Sequence, residues 1–233
     1  MQQFYLPELY HDCDYAQFTK EESKHITKVL RKKHHDSIIL TDGNGNQYHG
    51  TLDMISTKSC GVRIHKVIPI PKDNYHLHIA IAPTKNMDRL EWFIEKSTEI
   101  GIHQITPILC LQSERKTVKT DRLQKIAISA MKQSMGAFLP KINPLTDFQK
   151  VVDASKGFSV IAHCHHTPKT PLHHIVKHEK IIHVFIGPEG DFTEDEVAYA
   201  VSKSANPVSL GNKRLRTETA ALVACQTVGL LHT

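Results

Sequence analysis

Two segments in the last third of the chain combine glycines with charged side chains, and each follows an apolar run. They are Gly187-Pro188-Glu189-Gly190-Asp191-Phe192-Thr193 and Leu210-Gly211-Asn212-Lys213-Arg214-Leu215-Arg216-Thr217-Glu218-Thr219-Ala220. A chain that only turned corners there would not place Pro, Glu and Asp among glycines, nor open an apolar helix with Arg-Thr-Glu-Thr. Both segments are therefore read as binding loops. A glycine turn ahead of a helix suits an anion, because free N–H groups point outward from the helix start. Glu189 and Asp191 oppose that reading, since two carboxylates repel a phosphate at close range. The chain contains no G-x-x-x-x-G-K-S/T, and no G-x-G-x-x-G follows its first α/β strand. Nucleoside triphosphates and dinucleotides are thereby set aside. A ligand with cationic or hydroxyl groups and little negative charge fits better, and the residues alone do not say which.

The elements that must carry these loops fall into two groups. Up to residue 67 the strand signals are short: residues 37–41, 47–55 and 60–67, with Gly43-Asn44-Gly45-Asn46 as a hairpin turn between the first two. A helix over residues 20–33, with Ile26, Val29 and Leu30 on one face, precedes them. The segment Ile68-Pro69-Ile70-Pro71-Lys72 reads as an extended linker. From residue 73 strands and helices alternate, which predicts a mostly parallel sheet with helices on its faces. The predicted strands are 75–82, 104–110, 159–163, 181–186 and 207–210. Predicted helices include 86–100, ended by Gly101, and 121–135, with Leu123, Ile126, Ala127, Ala130 and Met131 in one stripe. Thr146-x-x-Gln149 and Thr193-x-x-Glu196 read as capping boxes. A final helix over 217–231 is apolar nearly all round and is expected to be buried on several sides. In open α/β sheets ligands bind beyond the carboxyl ends of strands. Pro83-Thr84-Lys85, His163-Cys164-His165-His166 and the two glycine segments all follow predicted strands, so the unusual chemistry falls on one edge.

At 233 residues the chain is long enough for a full core, and 40% hydrophobic with 23% charged residues is ordinary globular composition. No apolar run approaches the roughly 20 residues of a membrane span, and the amino-terminal residues lack a signal-peptide pattern. Cys13, Cys60, Cys110, Cys164 and Cys225 form no C-x-x-C pair, the pattern of reduced cytoplasmic thiols. A formal net charge of +5 leans towards a polyanionic partner. The 17 histidines show no zinc spacing, and no metal site is expected.

S-adenosyl-L-methionine, with its sulfonium, amino group, ribose and adenine, meets the ligand description, and a resemblance selects it. The two glycine segments resemble the signature motifs of the ribosomal RNA small subunit methyltransferase E family of the SPOUT superfamily. Upstream similarities are Lys85 with Arg89-Leu90-Glu91-Trp92, Glu95-Lys96-Ser97-Thr98-Glu99-Ile100-Gly101, Ser113-Glu114-Arg115 and Lys132-Gln133-Ser134. His25-Ile26-Thr27-Lys28-Val29-Leu30-Arg31 is similar to the family's PUA-like RNA-binding domain. Two positions depart: Met135-Gly136 stands where many members have Gly-Arg, and His35 stands where glycine is common.

The resemblance implies an α/β fold, with a PUA-like β-barrel domain at 1–72 and a SPOUT domain with a trefoil knot at 73–233. It implies a cytoplasmic enzyme that methylates N3 of one uridine in 16S rRNA or the small ribosomal subunit, works as a homodimer, and needs neither metal nor membrane. His163, Gly187, Pro188, Glu189, Gly190, Leu210, Gly211, Leu215, Thr217, Thr219 and Ala220 are the implied cofactor residues. Uridine N3 must lose its proton, so the flanking carbonyl oxygens need electrostatic support. Arg216 is assigned that role, the competing reading being an ion pair with Glu218 or Glu189. Glu218 is assigned proton acceptance, the competing reading being a helix cap. Arg31, Lys32, Lys33, Lys85, Arg89, Arg115 and Arg214 are assigned to RNA phosphates, against the alternative of solvated surface charge. Rival functions are a SPOUT methyltransferase acting on another base or on ribose, and a non-catalytic RNA-binding assembly factor.

Overall fold

The computed structural model describes residues 2–232; residues 1 and 233, which the expected domain bounds include, lie outside the described residues. It divides into two compact units, one running to Lys72 and including Met131–Leu139, the other comprising Asp73–Ala130 and the chain from Pro140 onward. No helix among the described residues is long and apolar enough to cross a membrane.

The first unit contains β1 (Gln3–Tyr5), β2 (Tyr15–Gln17), α1 (Lys20–Lys24), β3 (Ser37–Thr41), β4 (Asn46–Ile55) and β5 (Cys60–Pro69) in a five-stranded sheet of order β1-β3-β4-β5-β2. Alternation along β4 buries Tyr48 and Leu52, which join Phe4, Ile26, Leu40 and Val62 in its core. Gly43 and Gly45 make the β3–β4 turn with φ of 73° and 105°. The predicted helix over 20–33 is much shorter. After Lys24 the chain widens into a π-turn, His25–Val29, and Arg31 adopts φ 51°. The extra residue per turn rotates Val29 outward to 65% exposure while Ile26 stays buried. Arg31, Lys32 and Lys33 thus lie in the irregular segment that follows the helix end at Leu30 and precedes β3. Pro69 ends β5 and is not linker. His35 and Met135, the two departures from the family pattern, have φ of 69° and 60°. Each keeps the left-handed backbone that glycine favours.

The second unit contains β6 (His76–Ile81), α2 (Met87–Ile100), β7 (Gln104–Leu109), α3 (Thr120–Gln133, ending in the first unit), β8 (Lys141–Ile142), β9 (Thr146–Asp147) and α4 (Phe148–Ala154). Then follow β10 (Phe158–Ala162), β11 (Thr170–Pro171), α5 (Leu172–Ile175), β12 (Ile181–Ile186), α6 (Glu194–Ser202), β13 (Asn206–Ser209) and α7 (Thr217–His232). The sheet order is β11-β13-β10-β12-β6-β7-β8, with β9 pairing β7, and every pairing is parallel. The buried strands β6 and β12 are the apolar runs expected of a sheet covered on both faces.

Helix ends follow local chemistry. Asn86 caps α2 through its side chain, and Gly101 closes it at φ 107°. Thr193 and Glu196 form the expected capping box of α6. The box expected at Thr146 does not form: Thr146 Oγ1 donates to Pro144 O, its backbone belongs to β9, and α4 starts only at Phe148. The last helix buries Ala221, Ala224, Cys225 and Val228 against α2, α5 and the sheet. Leu222 and Val223 remain half-exposed, so the helix is not covered all round.

A polar chain crosses this apolar sheet. His183 Nε2 lies 2.9 Å from Lys156 O, which can only accept, so Nε2 carries the proton. Its Nδ1 then accepts from His78 Nδ1 at 3.0 Å. His78 Nε2 accepts from Thr106 Oγ1 at 2.7 Å, and Thr106 accepts from Asn143 Nδ2 at 2.7 Å. One carbonyl therefore fixes both tautomers. Burial holds His78 down at about 3 and also lowers His183. The unfolded chain titrates near a pKa of about 6.5 and binds protons that the native pair refuses. The pair's contribution to stability is complete above that value and is lost as pH falls through it towards the depressed native values. Urea midpoints are expected to drop between neutral pH and about pH 4.5, with a smaller drop in a His78→Leu/His183→Leu double variant. Equal pH slopes would assign the effect elsewhere.

Candidate functional site

Parallel pairing brings the ends of β13, β10, β12 and β6 side by side, and a cavity of about 750 Å³ opens beyond the first three and the start of α7. Close contacts explain two glycines of the loop after β12. A Cβ on Gly187 would meet the Phe192 ring at 3.0 Å, and one on Gly190 would meet Gln112 Oε1 at 2.5 Å. Gly211 has open space around it, but its φ of 131° is one that side chains rarely adopt.

The acidic residues hold loops together. Glu189 Oε1 accepts the Lys85 backbone N–H at 2.9 Å, tying the loop after β12 to the loop after β6. Asp191 accepts the backbone N–H groups of Cys164 and Phe192. Thr217 Oγ1 donates to Gly187 O at 3.1 Å, joining α7 to the loop after β12. Arg216 O accepts the first helical bond of α7, from Ala220 N at 2.8 Å. The Arg216 guanidinium is exposed and makes no ion pair or side-chain hydrogen bond among the described residues. Neither competing partner expected for it, Glu218 or Glu189, is engaged with it.

Of the predicted cofactor residues, His163, Gly187, Pro188, Glu189, Leu210, Gly211, Leu215, Thr217 and Ala220 line the cavity, and so do Arg214 and Arg216. Gly190 packs on Gln112 instead, and Thr219 and Glu218 are not in the lining. His163 is 7% exposed, and neither ring nitrogen has a partner. Burial, followed by the charge of Lys169, lowers its pKa. Glu218 is also 7% exposed, with Oε1 3.8 Å from Arg89 Nε and Oε2 without a partner. It makes no helix-capping bond among the described residues.

Lys85 pairs with Glu114 at 2.9 Å, and Arg115 donates to Lys85 O at 2.8 Å, so Lys85 and Arg115 cluster at the same sheet edge, while the side chain of Arg89 lies against Glu218. Sequence reasoning missed Asp191, Cys164, His166, Lys169, Asn212 and Lys213 in the cavity wall. Five lie in segments already flagged as following strands, and Lys169 lies three residues beyond His166 in the same loop, so loop membership was the available signal. Among the described residues no cluster of three or more His, Cys, Asp or Glu is arranged to hold a metal.

Residues 71–229 match the family model of the RNA methyltransferase domain, and residues 18–64 match that of the RNA methyltransferase PUA domain. A ribosomal RNA small subunit methyltransferase E of Buchnera aphidicola is 30% identical over 225 residues, covering 91% of this chain and 87% of the relative. The crystal structure of a probable rRNA methyltransferase from Porphyromonas gingivalis superposes with TM-score 0.90 at 36% identity, over 100% of this chain and 98% of the other. That of a ribosomal RNA small subunit methyltransferase E from Neisseria gonorrhoeae, bound to S-adenosyl methionine, gives 0.88 at 27% identity, over 99% and 98%.

Removing the Thr217 hydroxyl leaves the buried Gly187 carbonyl without its donor. Thr217→Val is expected to cost about 1–2 kcal/mol by denaturant midpoint, with Thr217→Ser close to wild type. A silent valine variant would show that the bond does not hold the two loops together.

Proposed function

Because this chain belongs to the ribosomal RNA small subunit methyltransferase E family, we propose that it transfers a methyl group from S-adenosylmethionine to N3 of one uridine in 16S rRNA. The observation that carries this reading is the cavity at the strand ends, walled by both signature segments and bordered by a free guanidinium. Its volume is in the range of small-ligand sites. The unpartnered ring nitrogens of the buried His163 in its wall suit a polar nucleoside.

S-adenosylmethionine supplies an electrophilic methyl group on a sulfonium, which becomes a neutral thioether when N3 takes the methyl. The chain's part is to position and to stabilise charge. Arg216 stands at the start of α7, where the helix N-terminus adds its own positive end. Its paired donors suit a uracil carbonyl oxygen as negative charge grows there. The same contact makes N3–H more acidic, so that its proton passes to solvent water as N3 takes the methyl. Glu218, buried beside Arg89 and outside the cavity wall, suits a positioning role better than proton acceptance. Lys85, Arg89, Arg115 and Arg214, with Arg31, Lys32 and Lys33 of the first unit, are proposed phosphate contacts. The second unit is the proposed catalytic domain, with the knotted topology of SPOUT enzymes, and the first the RNA-binding domain. A homodimer acting on the cytoplasmic small subunit completes the proposal.

Mass spectrometry of 16S rRNA from a deletion strain is expected to show loss of a single 3-methyluridine; loss of a different modified nucleoside would redirect the assignment to another base or ribose. Arg216→Ala is expected to lower methylation about 100-fold or more, with calorimetric affinity for S-adenosylmethionine nearly unchanged. Full activity in that variant would remove Arg216 from the mechanism. RNA affinity is expected to fall steeply with salt, by a slope of about 0.7 per single-strand phosphate contact. Arg89→Gln and Arg115→Gln should each lower that slope.

A further inference from the structure

Asp191 is one of five non-glycine residues with positive φ among those described, at 70°. It stands in the cavity wall. Strain of this kind persists only where the surroundings enforce it. The enforcing contacts here are specific. Asp191 N donates to Pro188 O at 2.9 Å, closing a tight turn. Asp191 Oδ1 accepts Phe192 N at 2.9 Å, and Oδ2 accepts Cys164 N at 2.7 Å. Both carboxylate oxygens are thus engaged by backbone donors, and Asp191 forms no ion pair among the described residues, although Lys169 lines the same cavity.

A second bond runs between the same two loops in the opposite sense. His165 Nε2 lies 2.7 Å from Phe192 O, and a carbonyl only accepts, so the ring donates. Lys169 Nζ donates to His165 O, a bond within the loop after β10. Residues 164 and 165 are therefore bound to residues 191 and 192 by one side chain from each loop. Between them and the strand end sits His163, buried, its ring 5.4 Å from that of His165 and its nitrogens without a hydrogen-bond partner.

Resting on the methyltransferase reading, we propose that Asp191 and His165 form a reciprocal staple that joins the loops after β10 and β12 into one preformed wall, with Asp191 as the positioning residue that preorganises the methyl-donor site. A nucleoside entering the cavity meets both loops at once. Without the staple it would have to order the β10 loop as it binds, and its affinity would fall.

Asp191→Gly tests this cleanly, because glycine keeps the left-handed turn and removes only the carboxylate. Asp191→Asn keeps the turn and an oxygen acceptor. Two measurements are made on the full-length chain: calorimetric affinity for S-adenosylmethionine, and the alkylation rate of Cys164, the exposed one of its five cysteines. The glycine variant is expected to bind about tenfold more weakly, to alkylate several-fold faster at Cys164, and to unfold at a denaturant midpoint no lower than wild type. The asparagine variant should fall between. Unchanged affinity overturns the proposal, whatever the alkylation rate, and so does weakened binding at an unchanged alkylation rate. Weakening that only follows a lowered denaturant midpoint also overturns it. A wild-type chain that does not bind S-adenosylmethionine overturns the functional reading instead; the staple is then judged on Cys164, and an unchanged rate in the glycine variant overturns it.

Discussion

The whole site depends on parallel strand pairing. When β13, β10, β12 and β6 run in the same direction, their carboxyl ends come to one edge, and the loops that follow must share it. Residues separated by about a hundred positions then become neighbours without any special affinity between them. Lys85 and Glu189 meet in this way, and so, across 27 positions, do Cys164 and Asp191. An antiparallel arrangement of the same strands would send alternate loops to opposite ends, and the cavity would lose its walls.

Charge at this edge is arranged unevenly. Glu189 and Asp191 spend carboxylate oxygens on backbone N–H groups, which lack an alternative partner in a loop. The cations Lys213, Arg214 and Arg216 have no described ion pairs and stay exposed. The acids therefore act within the protein, and the bases remain available to something outside it. This division resolves the conflict between an acidic glycine loop and a polyanionic partner, because the two kinds of charge serve different tasks.

Legibility in the sequence varied with the physical origin of each feature. The strands 181–186 and 37–41 and the cap at Gly101 were readable because their signals are local: a bounded apolar run, or one glycine after a periodic stretch. The short α1 was not, because a π-turn depends on how Ile26 packs beneath the sheet of the first unit. Thr146 matched a capping pattern and was overruled by pairing with β7. Most of the cavity lining was legible from the two motifs. The burial of Glu218 beside Arg89 was not, since Arg89 belongs to a helix far away in sequence. The histidine chain across the sheet was equally hidden, because it requires strand neighbours to be known first.

The order of the sheet also sets a schedule for making the protein. β6 lies between β7, which follows it closely, and β12, which follows only after most of the second unit has been made. During synthesis one edge of β6 must wait, with its N–H and C=O groups unpaired and its apolar side chains exposed. Long-range parallel contacts of this kind are slow to form, because the loop must close before any pairing repays the lost entropy. The nascent chain thus passes through a stage in which a hydrophobic strand seeks a partner that does not yet exist, and the ribosome itself is the nearest large body.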